Sequence, residues 1–289
     1  FVARSTSEKS EFLASTDNWF RPVNIANGPD GCLYVCDMYR ELIEDPSAIP
    51  EDILKLMDVT SGRDRGRIYH IVHDASKRVR AKRLADASTD ELVSALESPN
   101  AWTRETAQRL LVERQDKSAI DLLRKMIAGS DSATARLHAL WTNEALNGND
   151  ERTLLLALRD QHPAVREHTV RVAERHLNSH SRVAKAVVAL ANDESPRVRY
   201  QVAFTLGELT DRKAAITALA TIAARDADDS HIRTAVLSSV PTEADQLLVA
   251  LSKIGAFKSD TGHALLDQLV GVIAARGNQG EVDRTIALV

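Results

Sequence analysis

"ESPRVRYQVAFTLGEL", residues 194–209, is a polar turn, a proline, an arginine and then an apolar run. Pro196 suits the first position of a helix, where a missing N–H leaves nothing unsatisfied. The residues after Arg199 keep a helical period. The same layout returns in "SPNAWTRETAQRLLVER" (98–114), "SDSATARLHALWTNEAL" (130–146), "QHPAVREHTVRVAERHL" (161–177) and "DSHIRTAVLSSV" (229–240). The marker arginines are Arg104, Arg136, Arg166, Arg199 and Arg233, at intervals of 32, 30, 33 and 34 residues. A second amphipathic run follows each, as in "SRVAKAVVALAND" (181–193) and "RKAAITALATIAARD" (212–226). One such helix pair cannot bury both of its apolar faces, so neighbouring pairs must stack to complete a core. "STDE" at Ser88–Glu91 has capping-box spacing and marks the first helix start.

The two-helix unit, its period and the "P-x-V-R" entry at 163–166 and 196–199 resemble HEAT repeats of the short, lyase-like type. The likeness is clearest over residues 193–226, and about six units fit between residue 88 and the end. The resemblance implies a right-handed stack of helix pairs in which entry arginines and nearby acids form a ladder between units. Asp131, Asp160, Glu194 and Asp229 precede marker arginines by four to six positions and suit the acidic role. The arginines are therefore expected to be structural rather than an anion-binding row. The expected fold is mainly α: a right-handed HEAT-repeat α-solenoid preceded by a small antiparallel β segment.

That β segment is carried by "NWFRPVNIANGPDGCLYVCDMY", residues 18–39. Val23–Ala26 and Cys32–Asp37 read as two short strands joined by the turn "NGPDG", with a third strand in "GRIYHIV", residues 66–72. Cys32 and Cys36 make a C-x-x-x-C, neither a redox C-x-x-C nor a haem-attachment C-x-x-C-H. On a strand they share a face with Tyr34, and their Cα atoms stand about 13 Å apart, beyond disulfide reach. No third cysteine exists, so both are expected to be small buried hydrophobes, with no metal site.

Composition changes along the chain. Seven of the twelve aromatic residues fall in the first 87 positions and five in the remaining 202, where Ala, Leu and Val dominate. Three regions are expected: residues 1–75 as a β unit with an insertion, 76–87 as a basic linker containing "SKRVRAKR", and 88–289 as helical repeats. The 37 Lys and Arg nearly balance 41 Asp and Glu, for a net charge of −4, which demands neither nucleic acid nor an anionic membrane as partner. No apolar run approaches the roughly 18 residues of a membrane-crossing helix. The chain begins at Phe1 rather than Met, so a fragment or processed product is expected.

Both parts carry residues that a site could use. The second-helix faces offer Asp121, Arg124, Lys185, Thr217 and Thr221, a mixed set rather than a basic groove, which argues against nucleic acid. His176 and His180 are four apart, but Asn178 and Ser179 read as a break between helices that spoils a two-ligand site. His70 and His73 fall on opposite faces of a strand. No G-x-S-x-G, P-loop or H-E-x-x-H is present. Asp37, Tyr39, Arg40 and Glu41, just after a strand, are the candidates for a catalytic role; the competing reading is a capped strand end with solvated charges.

"RPV-x-I-x-x-GPDG-x-LYV-x-D" with the later "GRIY-x-I" is similar to a blade of a sugar-dehydrogenase-like β-propeller. Residues 17–72 together with 98–141 resemble the membrane-bound dehydrogenase family, in which a propeller is followed by HEAT-type repeats and commonly a c-type cytochrome domain. The resemblance implies that this chain is the last propeller blade plus the repeat array of a larger protein that is exported, periplasmic or cell-envelope associated. Members commonly carry His and Trp at the positions of Asp45 and Ala48. Two functions follow as expectations: a non-catalytic scaffold for protein partners or neighbouring domains, with no cofactor in this chain, or part of an oxidoreductase site through Asp37, Tyr39, Arg40 and Glu41.

Overall fold

The computed structural model describes residues 8–43, 45–73, 83–258 and 260–288. Two compact units are present, residues 1–83 with 99–103, and residues 84–98 with 104–289. The expected basic linker falls largely outside the described residues.

In the first unit β1 (Pro22–Asn27), β2 (Leu33–Asp37) and β3 (Arg67–Ile71) form an antiparallel sheet in that order. The register sets Ile25 and Tyr69 beside Val35, and Ala26 and His70 beside Tyr34. The β1–β2 turn is closed by Gly28 N–H to the Cys32 carbonyl at 2.8 Å, and Gly31 takes the left-handed φ of 79° that a side chain would resist. Between β2 and β3 lie a short 3-10 turn, Pro46–Ala48, and α1 (Glu51–Leu54). Asp45 caps the turn, its carboxylate accepting from Ser47 N–H at 2.9 Å.

The buried face of β2 is that of Val35 and Asp37, 1% and 3% exposed. Cys32 and Cys36 are free and only half-buried, which corrects the expectation that both are buried. Strand alternation put them on the opposite face from Val35, and that face is the more open one. Val23, Ile25 and Ile68 are exposed by 52%, 58% and 67%, so this sheet leaves apolar surface in water on β1 and β3.

The second unit is helical. Its elements are α2 (Thr89–Ala95), α3 (Ala101–Arg114), α4 (Ala119–Gly129), α5 (Ala133–Ala145), α6 (Glu151–Ala157), α7 (Pro163–Ala173) and α8 (Ser181–Ala189). They continue as α9 (Pro196–Thr205), α10 (Arg212–Arg225), α11 (Ser230–Ser238), α12 (Ala244–Lys253), α13 (Asp260–Arg276) and α14 (Gln279–Ile286). Helices pack two apart in the chain: α5 on α7, α7 on α9 and α9 on α11 in one row, and α2, α4, α6, α8, α10, α12 and α14 successively in the other. Ser88 makes both bonds of a capping box with Glu91, and Pro163 and Pro196 open α7 and α9.

Leucines fill the space between the rows. Leu92, Leu111, Leu123, Leu140, Leu154, Leu206 and Leu219 are wholly inaccessible to water. Truncating any of them to Ala should cost about 2–5 kcal/mol. On α10 the buried set Ala215, Ile216, Ala218, Leu219, Ala220, Ile222 and Ala223 wraps much of the helix, because neighbours cover it on several sides. Among the described residues no helix is long and apolar enough to cross a membrane.

Candidate functional site

The five marker arginines occupy the fourth position of α3, α5, α7, α9 and α11. Each donates Nη1–H to the backbone carbonyl six residues earlier: Arg104 to Ser98, Arg136 to Ser130, Arg166 to Asp160, Arg199 to Asp193 and Arg233 to Ala227, at 2.6–2.8 Å. Three of them also reach forward to the next unit. Arg136 makes a two-pronged pair with Asp160 at 2.6 and 2.7 Å, and Arg166 with Asp193 at 2.7 Å for both bonds. Arg199 does the same with Asp226, its Nε bond being 2.7 Å.

A continuous ladder results. Asp160 receives Arg136 on its carboxylate and Arg166 on its carbonyl; Asp193 does the same for Arg166 and Arg199. Forked guanidinium and carboxylate match geometrically, which is why arginine rather than lysine recurs here. The expected acids are corrected in part: Asp160 serves, but Asp193 and Asp226 stand where Glu194 and Asp229 were expected. Asp229 instead caps α11, accepting from His231 and Ile232 N–H, and Glu194 offers its carbonyl to Arg199. Asp131 lies close enough to raise the Arg136 pKa, behind the larger effect of Asp160.

Burial pushes the Asp160 and Asp193 carboxyls up, but the arginine bonds and the N–H groups of His162 and Ser195 outweigh it. Both are held below the ordinary carboxylate value. Paired this fully, Arg136, Arg166 and Arg199 do not present themselves to a ligand.

The other row is more open. A groove of about 1140 Å³ runs over α4, α6 and α8. Leu155 and Leu156 lie on its floor, Leu156 being 48% exposed. Its cations are Arg124, Lys125, Arg152, Arg159 and Arg182; its anions are Asp121, Asp150 and Glu151. Arg124 is fixed by the Gly148 carbonyl at 2.7 Å and Asp150 at 3.1 Å, and Arg182 pairs with Glu151 at 2.8 Å. Among the described residues Lys125, Arg152 and Arg159 have no ion-pair partner, so the groove carries spare positive charge beside exposed leucine. Of the residues considered from sequence, Asp121 and Arg124 line this groove, and Thr217 and Thr221 line a smaller hollow over α8 and α10. Lys185 is exposed but lines neither.

In the first unit, the four catalytic candidates hold a strand end. Asp37 Oδ1 accepts from Arg21 N–H at 2.8 Å and Tyr39 N–H at 2.9 Å. Tyr39, at φ 51°, donates its hydroxyl to Asp17 at 2.8 Å and stacks under the Arg67 guanidinium at 3.7 Å. Arg40 donates to the Thr60 carbonyl, and the Glu41 carbonyl accepts from Arg21. The hydrogen bond from Tyr39 contributes, after that of Trp19 N–H, to lowering the Asp17 pKa.

The structure assembles a group that strand-by-strand reading missed. Asp30, Cys32 and His70 bring one carboxylate, one thiol and one imidazole nitrogen within 4.8 Å of one another. His70 Nε2 is 2.9 Å from Asp30 Oδ2, which also accepts from the Tyr34 hydroxyl at 3.0 Å. Desolvation pushes Asp30 up, but the N–H of Cys32 and the Tyr34 hydroxyl outweigh it and lower its pKa. The signal was present in the pairing of β2 with β3, since any register placing His70 beside Tyr34 brings it near the turn. His176 and His180 approach each other edge-to-face at 5.8 Å, His176 beside Glu144 and His180 against Ser179.

Residues 1–75 match a domain of unknown function (DUF7133), and residues 151–240 match HEAT repeats. No curated protein matches the chain. Among solved structures, a designed armadillo repeat protein is similar at 15% identity and a TM-score of 0.41, over 63% of this chain and 100% of its own. The chain is mainly helical, its helices stacked in pairs as a repeat solenoid after a small three-stranded antiparallel sheet, and the match to HEAT repeats covers α6 to α11.

Proposed function

We propose that the chain is a non-catalytic scaffold whose groove over α4, α6 and α8 holds an acidic, leucine-bearing segment of a protein partner. The observation that carries this is the placing of Lys125, Arg152 and Arg159, without carboxylate partners, around the exposed Leu156. Spare cations attract and orient an acidic peptide, while the apolar floor supplies an anchor contact that charge alone does not. The ladder ties α5 and α7 to the turns that follow α6 and α8, so the ends of two groove helices are held before binding. Carboxylates of Asp121, Asp150 and Glu151 in the same groove oppose a polyphosphate backbone.

The resemblance of residues 17–72 and 98–141 to membrane-bound dehydrogenases supports a wider context. In it, the array joins a propeller to an electron-transfer domain of a larger exported protein. A C-x-x-C-H downstream of Val289 in the full gene product would fit that context; a complete gene product ending without one would remove it. An oxidoreductase role for Asp37, Tyr39, Arg40 and Glu41 has less support, because the bonds they make close the end of β2.

Fluorescence anisotropy with a labelled Glu-rich peptide carrying central leucines tests the proposal. Binding should saturate, weaken with salt and fall at least tenfold in the Arg152→Glu/Arg159→Glu variant. Equal affinity in that variant, or tighter binding of a single-stranded oligonucleotide than of the peptide, would overturn it.

A further inference from the structure

We propose that Asp30, Cys32 and His70 form a binding site for a zinc ion. Asp30 and Cys32 come from the β1–β2 turn, Cys32 immediately before β2, and His70 from β3, so the antiparallel pairing itself assembles the set. They offer a carboxylate oxygen, a thiolate sulfur and an imidazole nitrogen, each an ordinary ligand of Zn²⁺. Sulfur and imidazole together select Zn²⁺ over Mg²⁺ or Ca²⁺, which favour all-oxygen sites.

Tetrahedral zinc holds neighbouring ligand atoms about 3.3–3.6 Å apart, from metal–ligand bonds of about 2.0–2.3 Å. The present spread of up to 4.8 Å must therefore tighten by about 1 Å, and the 2.9 Å His70–Asp30 approach must open slightly. Side-chain rotation covers both changes. His70 is exposed and Asp30 and Cys32 are half-buried, so the ion can enter from solvent and a water can fill the fourth position.

The surroundings are those of a supported site. Tyr34 donates its hydroxyl to Asp30 and stacks on the His70 ring at 4.6 Å with planes 13° apart. Cys32 N–H donates to the other Asp30 oxygen at 3.1 Å. These contacts set the carboxylate and the ring before any ion arrives, the task of an outer shell around a metal. Binding replaces the thiol proton of Cys32, which passes to solvent, while His70 ligates through Nε2 as a neutral imidazole with its proton on Nδ1.

The test uses the 289-residue chain, stripped with chelator and titrated with Zn²⁺, and with Co²⁺ as a spectroscopic probe. One equivalent of zinc should bind with proton release, and bound cobalt should show a thiolate-to-metal absorption. Cys32→Ser should abolish that absorption, and Cys32→Ser, His70→Gln and Asp30→Asn should each weaken zinc at least tenfold. Tyr34→Phe, which keeps the stacking ring, should weaken it about 10- to 100-fold. Cys36→Ser should leave it unchanged. Zinc affinity that does not respond to Cys32→Ser, in variants whose circular dichroism matches the parent, would overturn the proposal. So would cobalt bound without a thiolate band.

Discussion

Replacing Asp193 by Ala removes one rung of the ladder. The substitution deletes two 2.7 Å bonds from Arg166 and the bond accepted from Ser195 N–H at 2.9 Å. The Arg166 side chain is 15% exposed, so its charge is left largely out of water. Leaving such a charge without its partner costs about 3–5 kcal/mol. Arg166 keeps its bonds to the Asp160 and Gln161 carbonyls, and water reaches its open edge, so the lower end of that range, about 3 kcal/mol, is expected. The pair itself is a different quantity. Arg166→Met with Asp193→Leu removes both charges together and should sit within about 1 kcal/mol of the parent, or above it. Urea unfolding followed by circular dichroism measures each variant. Repeat arrays can unfold in parts, so hydrogen exchange of α7 and α9 amides should be read alongside. A loss under about 1 kcal/mol in Asp193→Ala, the range of an exposed ion pair, would refute the reasoning.

Three further outcomes are expected. Asp160 and Asp193 have folded-state pKa values below the ordinary carboxylate value of about 3.9, so their rungs contribute fully above that pH and are lost as pH falls through the folded values. The urea midpoint should therefore hold between about pH 5 and 7 and drop below about 4, with a shallower drop in Asp160→Asn/Asp193→Asn; an unchanged acid limb would contradict this. Amides of residues 22–37 should exchange faster than those of 196–224, because Val23, Ile25 and Ile68 leave the sheet partly uncovered; equal protection in dilute monomer would count against it. Gln115 ends α3 at φ 50°, so Gln115→Gly should relieve left-handed strain and raise stability by about 0.5–1 kcal/mol, less its bond to the Val112 carbonyl; a loss of stability would show the strain to be negligible.

What could be read from sequence follows the reach of each signal. Pro163 and Pro196 with arginines three positions on are local patterns repeated at a period, and repetition marks the start of each unit. The acids of the ladder were only partly legible. Asp193 and Glu194 are adjacent, and Asp226, Asp228 and Asp229 cluster, so the composition of each turn permits several carboxylates; backbone geometry alone turns one inward. The groove was harder still, since Lys125, Arg152 and Arg159 are unremarkable surface residues until three helices set them around Leu156. Asp30 and His70 are forty residues apart, and the insertion between β2 and β3 conceals the register that joins them. The cysteines drew notice for their spacing to each other, whereas Cys32 has its neighbours across the strand and in the turn.

The scaffold account is tested most directly by hydrogen exchange of the whole chain with and without the Glu-rich, leucine-bearing peptide. Protection should rise at residues 121–128 and 151–159 and stay unchanged at 163–173 and 196–205, whose entry arginines already face carbonyls and carboxylates. Protection appearing at α7 and α9 instead, or at β1–β3 with none at α4 and α6, would contradict it.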